Sequence, residues 1–307
     1  MGAREETRPF GPAEVVELSQ TISQDTGKAY GVERVCHIWE QARSSFYHRT
    51  RQNVVASSPK RRGPSPSISD EALLELIRAD LTTTPFTGEG HRKVWARLRV
   101  RDGVRVARKR VLRLMRENHL LSPHRSRLKP AKEHDGKIIT LAPNLMWGTD
   151  GTRVFTLEAG WVWIFTAVDH WNAECVGWHV CKTGDRYAAL QPISMAISRL
   201  YGNVEKGVAR GLSLRMDHGT QYLSDHFLNQ IKFWGITPSF AFVAEPQTNG
   251  VAERFNRTLK EQAIYGRVFR TVDDVREAVR TFVDLYNSEW RVEKNGFRSP
   301  DEIRQAA

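Results

Sequence analysis

The chain has 307 residues, 40% of them hydrophobic and 26% charged, proportions ordinary for a globular protein in water. No apolar run approaches the ~18 residues that a membrane span needs, and the charged start at residues 1–10 has no apolar stretch behind it, unlike a secretory signal. Cys36, Cys175 and Cys181 form no C-x-x-C pair, which argues against a zinc finger or a disulfide framework and for small buried thiols.

The formal charge of +11 is unevenly spread. Residues 1–135 hold 26 Lys+Arg against 16 Asp+Glu, whereas residues 136–307 hold 20 against 19. Such an excess in less than half the chain favours a polyanionic partner, without separating DNA from RNA. Two basic, breaker-rich stretches divide the sequence. The first, residues 57–66, reads Ser57-Ser58-Pro59-Lys60-Arg61-Arg62-Gly63-Pro64-Ser65-Pro66; the second covers residues 122–136. The expected segments are a helical N-terminal part (1–56), a helical domain (67–121) and a larger C-terminal domain (137–307).

In the first segment Val32, Val35, Cys36 and Trp39 fall at helical spacing, and Ser44-Ser45-Phe46-Tyr47 opens another helix. In the second, Ser69 caps a helix with Asp70 and Glu71 in its first turn and Leu73, Leu74, Ile77 and Leu81 as its stripe. A second helix is expected from Arg92 to Val100 with Trp95 and Leu98 inward. After the Asp102-Gly103 turn, a third is expected from Val104 to about Asn118. On it Ala107, Val111, Leu114 and Met115 share one buried face. Arg105, Lys109, Arg113 and Arg116 project oppositely, with Leu112 the one apolar exception. Between His91 and Lys132 there are 15 Lys+Arg and two acids, Asp102 and Glu117. A merely solvated face interleaves both signs. Three short helices with a basic third one fit a helix-turn-helix DNA reader, in which Arg105, Lys109, Arg113 and Arg116 contact DNA.

From about residue 140 the pattern changes. Leu145–Thr156, the apolar run Trp161–Val168 and Glu174–Cys181 read as strands, the first two joined by a turn at Glu158-Ala159-Gly160. Helices are expected at Asp185–Tyr201 and Ser224–Trp234, short strands at Leu212–Met216 and Ile236–Phe240, and two helices at the end. The fold class is therefore α/β, a mixed sheet covered by helices. Trp147, Trp161, Trp163 and Trp178 read as core packing.

Three acids stand in unusual contexts: Asp150 in Trp147-Gly148-Thr149-Asp150, Asp217 in Asp217-His218-Gly219-Thr220-Gln221-Tyr222, and Glu253 in Asn249-Gly250-Val251-Ala252-Glu253-Arg254-Phe255-Asn256-Arg257. A buried acid must neutralise, pair or bind metal. Each alone also suits a turn, an Asx turn or a helix start. Sixty-six residues separate the first two and thirty-five the last two. In this order, with these flanks, the triad resembles the DDE integrase core of retroviral integrases and insertion-sequence transposases, and most nearly the second-frame product of the IS-three family. The likeness extends to His91–Asn118, Gly160–Val180, Asn249–Lys260 and Tyr286-Asn287.

The resemblance implies a ribonuclease H-like five-stranded mixed sheet preceded by all-α helix-turn-helix domains. It implies catalysis by Asp150, Asp217 and Glu253, which together hold two Mg²⁺ or Mn²⁺ ions, hard cations that prefer oxygen ligands. Two such ions clamp a phosphodiester, so that water cuts an element end and the freed 3′-hydroxyl attacks another strand. Asp150 would bridge the ions, with Asp217 and Glu253 completing one site each. Arg257 and Lys260, on the Glu253 face of their helix, are expected to hold DNA phosphates; a Glu253–Arg257 helix pair is the plainer alternative. His218 and Gln221 are expected to support the metal ligands or a phosphate, or simply to bond within their loop. The loop 242–248 is expected to be mobile and to close over DNA. Double-stranded DNA, further copies of the chain and a first-frame helix-turn-helix/coiled-coil protein are the implied partners, in the cytoplasm of a bacterium and close to its nucleoid.

Two departures stand out. The zinc-binding His/Cys domain of retroviral integrases has no counterpart, which points to the bacterial branch. The common Tyr-Asn-x-x-Arg-Pro-His ending becomes Tyr286-Asn287-Ser288-Glu289-Trp290-Arg291-Val292, which puts an end-binding role for that tail in doubt. A ribonuclease H-like nuclease that cuts without joining, and a decayed DNA-binding regulator, are the alternative readings.

Overall fold

The computed structural model describes residues 11–52, 66–122, 139–240 and 249–307. Residues 1–10, most of both breaker-rich stretches and the loop 242–248 lie outside the described residues. The chain forms two compact units, Met1–Ser67 and Ile68–Ala307. Among the described residues no helix is long and apolar enough to cross a membrane.

The first unit holds helices α1 (Pro12–Gln20), α2 (Gly31–Ile38) and α3 (Arg43–Gln52). Pro12 sits in the opening turn of α1, where a missing N–H costs nothing, and the Glu14 carboxylate accepts the Gly11 N–H at 2.9 Å. Val35 and Cys36, two of the helically spaced residues of the sequence, pack with Val15 and Phe46 as its small core.

The second unit begins with α4 (Asp70–Thr83), α5 (His91–Val100) and α6 (Arg108–Glu117). The Ser69 hydroxyl accepts from the Ala72 N–H at 3.2 Å, the cap expected from sequence. Leu73, Ile77, Val94, Leu98, Val111, Leu114 and Met115 form the core of the three helices. One expectation is corrected: α6 starts at Arg108, not Val104. Val104 and Val106 pack on the core from a non-helical lead-in whose Val106 carbonyl accepts the Trp95 indole N–H at 2.9 Å. Ala107 is consequently the exposed N-cap and not a core residue, and Arg105 lies ahead of the helix. A buried ion network, unseen in the sequence, ties α4 to α5: Arg97 bonds Asp80 at 2.8 Å and also pairs with Glu89, while Arg101 reaches Asp80 at 3.0 Å.

The rest of the unit carries the sheet. Strands β1 (Met146–Thr156), β2 (Gly160–Asp169) and β3 (Cys175–Cys181) run as an antiparallel meander. Then follow α7 (Arg186–Tyr201), β4 (Ser213–Met216), the single turn α8 (Thr220–Leu223), α9 (Asp225–Phe233) and β5 (Thr237–Phe240). Helix α10 (Gly250–Leu259) runs into a π-helical turn, Lys260–Ile264, before α11 (Val272–Glu289) and the short α12 (Pro300–Arg304). The strand order is β3-β2-β1-β4-β5, with β4 parallel to β1 and β5 parallel to β4. This is the mixed five-stranded sheet expected, and alternation along β2 explains its near-continuous apolar run. Phe165 and Ala167 join the α7–α9 core, whereas Ile164 and Val168 join the α10–α11 core.

The tryptophans divide. Trp147 is fully buried, and Trp163 and Trp178 pack against the two cores. Trp161 is not core: it is 59% exposed near the hairpin end, edge-on to the exposed Phe155 at 5.6 Å. Helix α7 lies so close to β3 that a Cβ on Gly177 would stand 2.0 Å from the Pro192 carbonyl oxygen. Backbone cannot yield as a side-chain end can. Gly177→Ala is therefore expected to cost at least about 3 kcal/mol, read as a lowered midpoint in urea unfolding.

Candidate active site

The β1–β4 register brings the first two carboxylates together. The pairing runs Met146–Ser213, Trp147–Leu214, Gly148–Arg215 and then stops. Two residues further along come Asp150, still paired with Thr166 of β2, and Asp217, just past the end of β4, at the point where β1 and β4 part. Glu253 enters from the first turn of α10.

Two asparagines fasten α10 across β1. Asn249, its N-cap, donates its side-chain N–H to the Thr149 carbonyl at 2.9 Å, and Asn256 donates to Asp150 Oδ2 at 2.9 Å. The Asn256 amide is itself oriented, since its Oδ1 accepts from the Thr166 hydroxyl at 3.0 Å. The other Asp150 oxygen accepts the Gly151 N–H at 2.8 Å. Asp150 therefore has both oxygens oriented and lone pairs left over. Gly148 permits the approach: a Cβ there would lie 2.7 Å from Asn249 Oδ1 and 2.8 Å from His170 Nε2. Sequence reasoning missed Asn249 and Asn256 as working residues. The available signal was two amides seven residues apart on the buried face made by Ala252, Phe255 and Leu259.

Asp150 and Glu253 both feel the charge of Asp217. Asp150 is held above the usual carboxylate range by burial first, opposed by the Asn256 and Gly151 hydrogen bonds, then raised by the charge of Asp217 and lowered by that of Lys260. Glu253 is raised by burial and by Asp150 and Asp217, with Arg257 acting against them. Among the described residues none of the three makes an ion pair, although Asp169 and Glu174 of the same domain do, at 3.0 Å to Arg304 and 2.5 Å to Arg199. The Glu253–Arg257 helix pair is not formed; the arginine acts on Glu253 only through its field. Asp217 and Glu253 are both exposed.

Among the described residues no three His, Cys, Asp or Glu side chains are gathered closely enough to hold a metal ion as they stand. The donor chemistry nonetheless fits a hard divalent cation: three carboxylates, Asp150 oriented through both oxygens, Asp217 held through one by the Gly219 N–H, and Glu253 exposed on its helix. His218 is exposed, its ring tilted against Phe240 at 5.7 Å. The Asp217 carboxylate accepts the Gly219 N–H at 2.9 Å, and the absent side chain of Gly219 leaves room for the Gln221 amide beside it.

On the helical domain Arg105, Lys109 and Arg116 are exposed, but Arg113 is not a free cation. It pairs with Asp70 at 2.6 Å and Glu117 at 2.8 Å, because α6 packs beside the acidic first turn of α4. Tyr286 and Asn287 are likewise internal. Asn287 exchanges two hydrogen bonds with the backbone of Cys175, and Tyr286 packs edge-on against Phe255 at 4.8 Å.

Because the Asp150 pKa lies above its unfolded value, the ionised carboxylate opposes folding at neutral pH, and that penalty disappears as acid protonates it. Asp150→Asn is expected to raise stability by about 1 kcal/mol at pH 7 in metal-free buffer, the Asn256 amide turning over against the Thr166 hydroxyl to accept the new N–H. The gap from wild type should close below the ordinary carboxylate range in pH-dependent thermal unfolding.

Comparison with known proteins agrees with this architecture. The integrase core domain family matches residues 141–246 and 234–293, and an HTH-like domain matches 69–127. The transposase for insertion sequence element IS629 of Shigella sonnei is 26% identical over 90% of this chain and 92% of its own. A Mycobacterium tuberculosis chain assigned as the transposase of IS986/IS6110 is 30% identical over 71% of this chain and 81% of its own. The catalytic core domain of HTLV-2 integrase, solved with magnesium, aligns with a TM-score of 0.41 and 18% identity, covering 53% of this chain and 97% of that one. On the strength of these sequence matches, the chain belongs to the insertion-sequence transposases built on an integrase core.

Proposed function

We propose that this chain is a DNA transposase that cuts phosphodiesters at the ends of its element and joins the freed 3′-hydroxyls to new DNA, using Asp150, Asp217 and Glu253 as the ligands of two Mg²⁺ or Mn²⁺ ions. The observation that carries the reading is that Asp150 and Glu253, raised by burial and then by neighbouring carboxylate charge that includes that of Asp217, have no cation paired with them among the described residues. When bound, the two ions supply activation of the attacking oxygen and stabilisation of the leaving 3′-oxygen.

The side chains around them have separate duties. Asn256 keeps Asp150 pointed at its task. Lys260 and Arg257, whose fields reach Asp150 and Glu253, draw the phosphates of the element end to the carboxylates. Arg105, Lys109 and Arg116 contact the DNA from the helix-turn-helix, phosphates for register and base edges for choice. His218 and Gln221 flank Asp217 and limit its rotation. Two element ends must be handled together, so the working form is an oligomer of the chain. The comparisons favour neither the non-joining nuclease nor the decayed regulator, since the relatives matched are transposases with the same core.

Asp150→Asn, Asp217→Asn and Glu253→Gln should each lower both cleavage and strand transfer by at least about 10³-fold while binding to end DNA persists in a mobility-shift assay. Undiminished cutting by any one of them would remove that residue from the site. Lys109→Ala and Arg116→Ala should each reduce the salt slope of DNA binding by about one. Arg113→Ala should instead lower the melting temperature, since its charge is already committed to Asp70.

A further inference from the structure

The helix-turn-helix and the integrase core lie within one compact unit, and a defined seam joins them. The loop between α4 and α5 meets the end of the catalytic helix. The Thr87 N–H donates to Gln262 Oε1 at 2.9 Å, and Gln262 Nε2 donates back to the Thr87 carbonyl at 2.9 Å. Gln262 belongs to the π-helical turn that continues α10. Beside it runs a file of rings. Phe86 packs edge-on against Trp290 at 4.8 Å, Trp290 stacks on Tyr286 at 5.9 Å, and Tyr286 meets Phe255 of α10 at 4.8 Å. Phe255 is two residues from Glu253.

The α5 side of the seam is built the same way. Lys93 lies 3.8 Å from the centre of the Trp290 ring and donates to the Arg291 carbonyl. Arg92 pairs with Glu293 at 2.9 Å, and Trp95 packs edge-on against Phe297 at 5.4 Å. Trp290 stands where the Tyr-Asn-x-x-Arg-Pro-His ending has its arginine, and Glu293 and Phe297 follow just after that stretch. The tail therefore has a partner within the chain.

We infer that this seam is a ruler: by holding the helix-turn-helix at one fixed placement on the catalytic helix, Gln262, Trp290 and the Arg92–Glu293 pair set the spacing between the DNA sequence read and the phosphodiester cut. The inference rests on the transposase reading above. These are positioning residues, because none touches the reacting groups. Their loss should alter where the cut falls more than how fast it is made. A residue needed only for stability would lower the rate at an unchanged position.

The test uses the full chain and end-labelled duplexes carrying the inverted repeats that flank its coding frame, with cut positions mapped at single-nucleotide resolution alongside a footprint. Wild type should cut at one position and lose activity when one or two base pairs are inserted between the footprint and the cut. Gln262→Ala and Trp290→Ala should keep the footprint, spread the cuts over neighbouring phosphodiesters with at least a threefold rise in displaced product, and tolerate the insertions. Should Trp290→Ala not fold, Arg92→Glu on the surface should spread the cuts and Glu293→Arg in the same chain should restore a single position. Single-position cutting by every seam variant, with only the rate reduced, overturns the ruler alone. A wild-type protein that makes no cut on any end overturns the catalytic reading, and the ruler with it.

Discussion

The structure depends on how one helix is fastened across one strand. Helix α10 carries Glu253, and it is fixed to β1 through Asn249 on the Thr149 carbonyl and Asn256 on the Asp150 carboxylate. Buried amide hydrogen bonds of this kind matter less for their net energy, about 1 kcal/mol each, than for the penalty of leaving them unmade. They leave the helix one register on the sheet. Gly148 makes the same choice sterically, since no side chain fits between the strand and Asn249. With that helix set, and with the parallel β1–β4 pairing placing Asp150 beside Asp217, the three acids have few places left to be.

Charge balance separates these acids from the others in the domain. Asp80, Asp169 and Glu174 are more deeply buried, yet each has an arginine within hydrogen-bond reach. They behave as buried ions do when the fold supplies their counterion, and removing the partner would strand a charge. Burial raises the pKa of Asp150 and Glu253 as it does that of Asp169, but these two lack an ion pair among the described residues. Local instability of this kind is common where a protein keeps a site for function and not for strength. Arg257 and Lys260 stand close enough to soften the repulsion without abolishing it.

Much of this was legible in the sequence, and what was missed has physical reasons. The strands, the Ser69 cap and the order of elements follow from periodicity and capping, which are local. The triad stood out because the spacing of the acids and their flanking residues resemble a known core. Asn256 did not stand out, because an amide on a helix face gives no sign of which carboxylate it will meet across the sheet. The start of α6 was misplaced because Val104 and Val106 satisfy a helical stripe and an extended lead-in equally well; tertiary contact with Trp95 decides. Arg113 looked like its basic neighbours, but Asp70, forty-three residues earlier, neutralises it. Trp161 was misassigned because hydrophobicity alone does not tell which face of a hairpin end is packed.

The central claim is that one pair of divalent ions is held jointly by chain segments around 150, 217 and 253. It is tested most directly by loading the protein with Fe²⁺ in place of Mg²⁺ and generating hydroxyl radicals at the metal with peroxide and ascorbate, then mapping backbone scission. The account predicts cuts close to all three segments, suppressed together by excess Mg²⁺ and lost together in Asp150→Asn. Scission confined to one segment, or centred elsewhere in the chain, would contradict it.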